Sequence, residues 1–249
     1  MAAIILLVRG GKRSDDGRVK HPRHFALSLT LLIGIARPVC LATPPSLSGD
    51  SPSPTPPPGL NLSSSAISSL IRGEPVVREA LVPGSPWPRV TVFKRVDAPP
   101  DLAAGVFLDY ESAPRFIRKL ESVEVVSQRG MTKEVEYQVR LPVFMSVGYR
   151  TRNTYSREGE AHVVKWELVR SSLASSGSGE FRVAPWGEGS LMVYSSEVVP
   201  SGGLVASLRS MAVEEVKSTA ESLAKEATRR SSTTTAPREA APSRAPRSP

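Results

Sequence analysis

In the aromatic-rich middle of this 249-residue chain, the side chains able to move a proton or hold a polar ligand are Asp109, Tyr110, Asn153, His162, Glu167, Tyr194 and Glu197. Serine and cysteine nucleophiles need a base beside them, and zinc sites need several His, Cys or carboxylate ligands. The chain has three histidines and one cysteine, but His21, His24 and Cys40 all precede the stretch from Trp87 to Tyr194 that holds 13 of the 14 aromatic residues. His162 is left alone there. Intramolecular disulfides, multi-histidine metal sites and nucleophile–histidine pairs therefore lack their partners. Two glycine-containing strings also fail as motifs. Ser175-Ser-Gly-Ser-Gly179 does not have the spacing of a nucleophile elbow, and Gly10-Gly11-Lys12 lacks the first glycine and the Ser/Thr of a phosphate loop.

Several elements must position these groups. Arg89–Val96 alternates as a strand, and Ala98-Pro-Pro-Asp101 opens a helix over Leu102–Leu108 with Asp101 as its N-cap. A second short helix is expected over Ser112–Leu120, with Pro114 in its first turn. The period then changes to two. Strands are expected at 122–128, 134–141, 147–156, 163–171, 177–184 and 190–199, and Val135, Tyr137, Val139 and Leu141 face opposite Glu134, Glu136, Gln138 and Arg140. After Pro200-Ser-Gly-Gly203 comes a long amphipathic helix to about residue 227. Its apolar stripe is Leu204, Leu208, Met211, Ala212, Val216, Ala220, Leu223 and Ala227, with Arg209, Glu214, Lys217, Glu221 and Lys225 on the other side. That stripe needs the concave face of the sheet to cover it.

On this frame Asp109 reads as a group that orders the turn between the two helices. Asn153 shares a face with Tyr149 and Tyr155, which leaves an inward polar group and a solvent-facing strand end as its two readings. His162, beside the Gly159-Glu-Ala turn, reads as an exposed loop position. Glu167 lies opposite Trp166, and the tryptophan is the one expected inside.

The order of these elements resembles the START-like (SRPBCC) superfamily. That α+β helix-grip fold is shared by polyketide cyclase/dehydrases, coenzyme Q-binding proteins and the birch-pollen-allergen group. The likeness is carried by Arg95-Val-Asp-Ala-Pro-Pro-Asp101, Val106-Phe-Leu-Asp-Tyr-Glu111, Pro114-Arg-Phe116, Ser122-Val-Glu-Val125, Tyr149–Tyr155, Trp166-Glu-Leu168 and Gly179-Glu-Phe-Arg182. It implies a curved antiparallel sheet of about six to seven strands around a long C-terminal helix, with two short helices after the first strand. It also implies a deep apolar cavity lined by Phe107, Tyr110, Phe116, Val139, Tyr149, Trp166, Phe181, Tyr194, Leu208 and Met211, to which Asn153 is added. An ordinary packed core would place the same residues inside. The partner implied is a hydrophobic small molecule or lipid, such as a quinone, fatty acid or polyketide-like compound, bound by a monomer with no cofactor. The alternative is a cyclase or dehydrase that uses Glu197, Tyr194 or Asp109 for proton transfer.

Charge sits elsewhere. The 32 Lys+Arg against 24 Asp+Glu give +8, but residues 1–42 hold +5, residues 228–249 hold +4, and the region between them is −1. A central region without basic excess argues against nucleic acid. Lys20–Ala36 has a basic start and twelve uncharged residues from Phe25, too short to span a bilayer and fitting a secretory signal cleaved after Ala42. An uncleaved anchor and a fortuitous apolar stretch are the other readings of this run, and Val19 is the expected translation start. The expected organisation is a preface and signal over 1–42 and a Pro/Ser-rich disordered linker over 43–73. The ligand-binding domain follows over 74–227, then a disordered basic tail over 228–249. The tail's five arginines could contact anionic lipid.

Overall fold

The computed structural model describes residues 60–140, 146–201 and 209–235. The chain divides into two units, and all described residues belong to one of them. The signal-like run, Val19, Leu204, Leu208 and the tail beyond Thr235 lie outside the described residues.

The described elements run α1 (Ser64–Ile71), β1 (Val76–Ala80), β2 (Arg89–Val96), α2 (Pro100–Leu108), a single 3-10 turn (Ala113–Arg115), six strands and α3 (Arg209–Thr235). The six strands are β3 (Leu120–Arg129), β4 (Thr132–Arg140), β5 (Ser146–Glu158), β6 (Ala161–Ser171), β7 (Ala174–Trp186) and β8 (Gly189–Pro200). They form one antiparallel sheet of eight strands in the order β1-β2-β8-β7-β6-β5-β4-β3. The connection through α2 carries the chain from β2 to the far edge, and a meander then returns it to β2's side. This is the helix-grip architecture, with one strand more than expected. The addition is β1, whose sequence Val-Val-Arg-Glu-Ala has no apolar alternation and is largely exposed.

Alternation sorts the strand residues between two faces. Val90, Val92, Val135, Tyr137, Val139, Tyr149, Trp166, Phe181, Met192 and Tyr194 are buried in the main core, together with Val216, Ala220, Leu223, Ala224 and Ala227 of α3. The outer face carries cross-strand ion pairs, among them Arg152 with Glu134 and Glu167, Arg150 and Arg170 with Glu136, and Arg89 with Glu197. Such exposed pairs add little stability, but they match neighbouring strands in charge and keep that face wet.

Folded structure begins earlier than the expected boundary at residue 74. Ser63 caps α1 by accepting from the Ala66 N–H at 3.3 Å. Leu60, Leu62, Ile67 and Leu70 pack with Phe93, Trp186, Leu191 and Val193 on the outer face of the sheet. The serine-rich composition hid this helix, although serine is a good cap and the apolar residues between the serines fall on one side. The chain after residue 227 is also ordered for two further turns, because Arg229 and Arg230 both bond to Glu226, and Arg230 also reaches Asp109 at 2.9 Å. Two of the five arginines assigned to a basic tail are thus consumed inside the fold.

Three local expectations are corrected. Pro99, not Asp101, is the N-cap of α2, without a side-chain bond, and Asp101 sits in the first turn, where its charge suits the helix dipole. The expected helix over 112–120 is a single turn. Lys119 adopts a left-handed conformation, φ 66°, which swings Leu120 into β3. His162 is buried, not exposed, because a tight turn at Gly159 starts β6 at Ala161. Its Nδ1 lies 3.0 Å from the Tyr155 hydroxyl, and its Nε2 is 2.9 Å from Asp101 Oδ1 in the first turn of α2 without the alignment of a hydrogen bond.

Gly179 of β7 is needed for close approach. A Cβ there would meet the Trp166 indole at 2.5 Å and the Ser195 carbonyl closer still. Gly179→Ala is therefore expected to lower stability by about 1–3 kcal/mol through overpacking, read as a reduced denaturant midpoint at unchanged slope.

Candidate functional site

The inner face of the sheet, covered by α2 and α3, gathers most of the residues expected at the site. Phe107 on α2 is fully buried, stacks on Phe181 with centroids 4.2 Å apart, and meets Tyr110 edge-on at 6.2 Å and Tyr194 at 6.5 Å. Across the sheet Tyr137 and Tyr149 stack at 4.8 Å. Val139 shares their face, and the Trp166 ring lies over the glycines of β7. Phe116 and Met211 are half-buried at the margin, with the Arg230 guanidinium 6.0 Å from the Phe116 ring. Leu208 is outside the described residues.

The structure resolves the two readings of Asn153 in favour of the interior. It is buried, and its Nδ2 donates to Thr151 Oγ1 at 2.8 Å. Four polar atoms of this interior, Tyr137 OH, Asn153 Oδ1, Trp166 Nε1 and Tyr194 OH, are buried without a hydrogen-bond partner. Burial pushes the Tyr137 and Tyr149 phenols well above their ordinary pKa, and it raises Tyr110 as well. Tyr194 is raised first by burial and then by the negative charge of Glu215. These shifts all favour the protonated phenol.

Glu215 is a site residue that sequence reasoning missed. It is buried on the inner side of α3 and accepts from Lys119 Nζ at 2.8 Å. Met211, Glu215, Thr219, Leu223 and Ala227 follow one another at intervals of four, so a carboxylate and a hydroxyl within the apolar ridge were the available signal. Thr151 was likewise overlooked, between Tyr149 and Asn153 on the same face.

The other polar candidates point elsewhere. Glu197 lies on the outer face, where Arg89 Nε donates to it at 2.8 Å, and Glu167 accepts from Arg152 at the same distance. Asp109 ends α2 and pairs with Arg230. Neither Glu197 nor Asp109 faces the buried phenols, so the proton-transfer roles considered for them have no support in the geometry. Among the described residues no cluster of three or more His, Cys, Asp or Glu is placed to hold a metal, and no helix is long and apolar enough to cross a membrane.

Among the described residues little free volume lies under α3. A gap of only about 10 Å³ lies between α3 and the sheet beside Trp87, Val90, Val198 and Val216. A roomier hollow of about 750 Å³ opens on the outer face, where Leu60, Phe93 and Val193 form an apolar floor ringed by the charged side chains Arg89, Arg152, Lys165, Glu167, Glu180 and Glu197. Small-molecule sites typically enclose roughly 300–1,000 Å³. Occupation of the inner face therefore requires α3 to move outward.

The polar links that hold α3 down are Arg209–Glu79, Lys119–Glu215 and the cluster of Glu226, Arg229, Arg230 and Asp109. Hydrogen bonds from Arg229 and Arg230 outweigh burial and lower Glu226 from 4.5 to about 2. A carboxylate whose folded pKa is depressed stabilises fully above its unfolded value and loses that contribution as pH falls toward the folded one. The stability gap between the parent protein and Glu226→Gln should be largest above about pH 5 and should close as pH falls from 4.5 toward 2, followed by denaturant melts.

Comparison with known proteins agrees with this architecture. The family model described as polyketide cyclase / dehydrase and lipid transport matches residues 88–228. Among solved structures, a fragment of the STAR-related lipid transfer protein from Xanthomonas axonopodis superposes with TM-score 0.54 at 18% identity, covering 61% of this chain and 92% of that one. The protein TTHA0849 from Thermus thermophilus gives TM-score 0.51 at 19% identity, covering 59% and 99%. Human STARD10 gives 0.50 at 13%, covering 61% and 69%. At these identities the likeness is one of fold. No curated protein sequence matches this one.

Proposed function

This chain belongs to the polyketide cyclase / dehydrase and lipid transport family, and from that premise we propose that its concave interior binds or carries a hydrophobic small molecule or lipid. The observation that carries the reading is the inner face itself. Phe107, Tyr137, Tyr149, Trp166, Phe181 and Tyr194 converge there, yet the phenols are held protonated and Glu215, the buried carboxylate that acts on them, is tied to a lysine. Such groups can hold a ligand by contact and hydrogen bonding, but they are poorly matched to shuttling protons near neutral pH. Holding therefore outranks cyclisation.

Entry follows from how α3 is fixed. Its underside against β2, β8 and α2 is mostly alanine and valine, and its polar links lie along its flanks. Small side chains give close packing but little interlocking, so an outward shift exposes modest apolar area, which a ligand then re-covers at roughly 25 cal/mol per Å². Delipidated protein should take up 1,6-diphenylhexatriene in one-to-one ratio, with energy transfer from tryptophan and a higher melting temperature. Absence of uptake for this probe and for the lipid extract of the host would overturn the reading.

We also propose that the protein acts outside the cytoplasm. Support comes from the uncharged Phe25–Ala36 run after a basic start, with small residues at Cys40 and Ala42. Cell fractionation of the full-length chain should find it exported with a new N-terminus at Thr43, and an intact cytoplasmic product would contradict this.

A further inference from the structure

Hydrogen-bonding chemistry narrows what the interior can hold. Trp166 Nε1 can only donate, and the oxygen of Asn153 can only accept, while the hydroxyls of Tyr137 and Tyr194 can do either. None of the four makes a well-aligned hydrogen bond and all are buried within the same inner face; the Tyr137 hydroxyl lies near enough to Thr151 and Asn153 for hydrogen bonding to offset part of its raised pKa, whereas Trp166 Nε1 and the Tyr194 hydroxyl have no such neighbour. A plain acyl chain or aromatic hydrocarbon satisfies none of them. A ligand with both carbonyl and hydroxyl oxygens can satisfy them together.

Charge narrows it further. Glu215 presents its carboxylate at the interior, close enough for its negative charge to act on both Tyr149 and Tyr194. Its counter-ion Lys119 is oriented the other way: the lysine side chain is 36% exposed and the glutamate 8%. The anion therefore faces the dry side and the cation faces water, and Lys119 has its bond already. A carboxylate ligand would meet repulsion in a medium of low dielectric, with the nearby cation engaged.

We propose that the interior selects an uncharged ligand bearing carbonyl and hydroxyl oxygens, and that Glu215 is the specificity residue that turns carboxylate lipids away. The inference rests on the binding reading above. It goes beyond it by separating neutral oxygenated hydrophobes from fatty acids.

Two matched pairs of probes test it in the full chain. 1,8-Dihydroxyanthraquinone and anthracene share a ring system and differ in oxygens, whereas methyl palmitate and palmitate share a chain and differ in charge. The parent protein should bind the quinone and methyl palmitate at least about tenfold more tightly than their respective counterparts. Tyr194→Phe and Asn153→Leu should each reduce the quinone-to-anthracene ratio by about five- to tenfold while leaving anthracene unchanged. Glu215→Gln frees Lys119 and should abolish the discrimination against palmitate. Cooperative melting shows that each variant is folded, and using two substitutions at separate polar atoms keeps the test open if one of them does not fold. Equal binding of palmitate and methyl palmitate by the parent, or a quinone-to-anthracene ratio unmoved in the folded variants, would overturn the inference while leaving the binding reading intact. If none of the four probes binds, it is the binding reading that fails.

Discussion

A curved antiparallel sheet must have its inner face covered, and here a single helix does it. Every other feature of the site follows from that cover. The underside of α3 is built from Val216, Ala220, Ala224 and Ala227, small enough for the helix to lie close to β2 and α2. Closeness keeps water from the aromatic rings, which is why the phenol pKa values are raised and why four polar atoms make no well-aligned hydrogen bond. A buried polar group left unpaired costs about 1–3 kcal/mol. The closed state therefore holds free energy that a suitable ligand would release.

The helix is held at its flanks more than at its centre. Lys119 bonds to Glu215 from a left-handed backbone conformation that L side chains seldom adopt. At the other end, Arg230 joins Glu226 of its own helix to Asp109 at the end of α2. These contacts fix where the helix lies, and the aromatic side chains of the sheet fill the space beneath it.

Periodicity made the meander and the long helix legible, because a half-buried strand and an amphipathic helix write their burial into residue spacing. The face on which Tyr137 and Val139 lie followed from it, while the inward set of Tyr149, Trp166, Phe181 and Tyr194 was what the family resemblance implied. What stayed hidden did not depend on spacing. α1 was obscured by serine composition and is revealed only by Phe93 and Trp186, far away in sequence. His162 looked like a turn residue because the tightness of the turn at Gly159 decides where β6 begins. Glu215 was passed over because polar residues in a helix are normally assigned to the wet side, and its partner Lys119 is 96 residues distant. The free volume of the interior depends on how tightly α3 settles, which no pattern in the sequence encodes.

Ligand binding on this inner face requires α3 to lift from the sheet. The most direct measurement is a crystal structure of the protein saturated with 1,8-dihydroxyanthraquinone. The ligand should lie between α3 and the sheet, with its oxygens within hydrogen-bond reach of Trp166 Nε1 and the Tyr194 hydroxyl and with α3 shifted outward. A ligand seated in the charged hollow of the outer face, over an interior still closed, would contradict it.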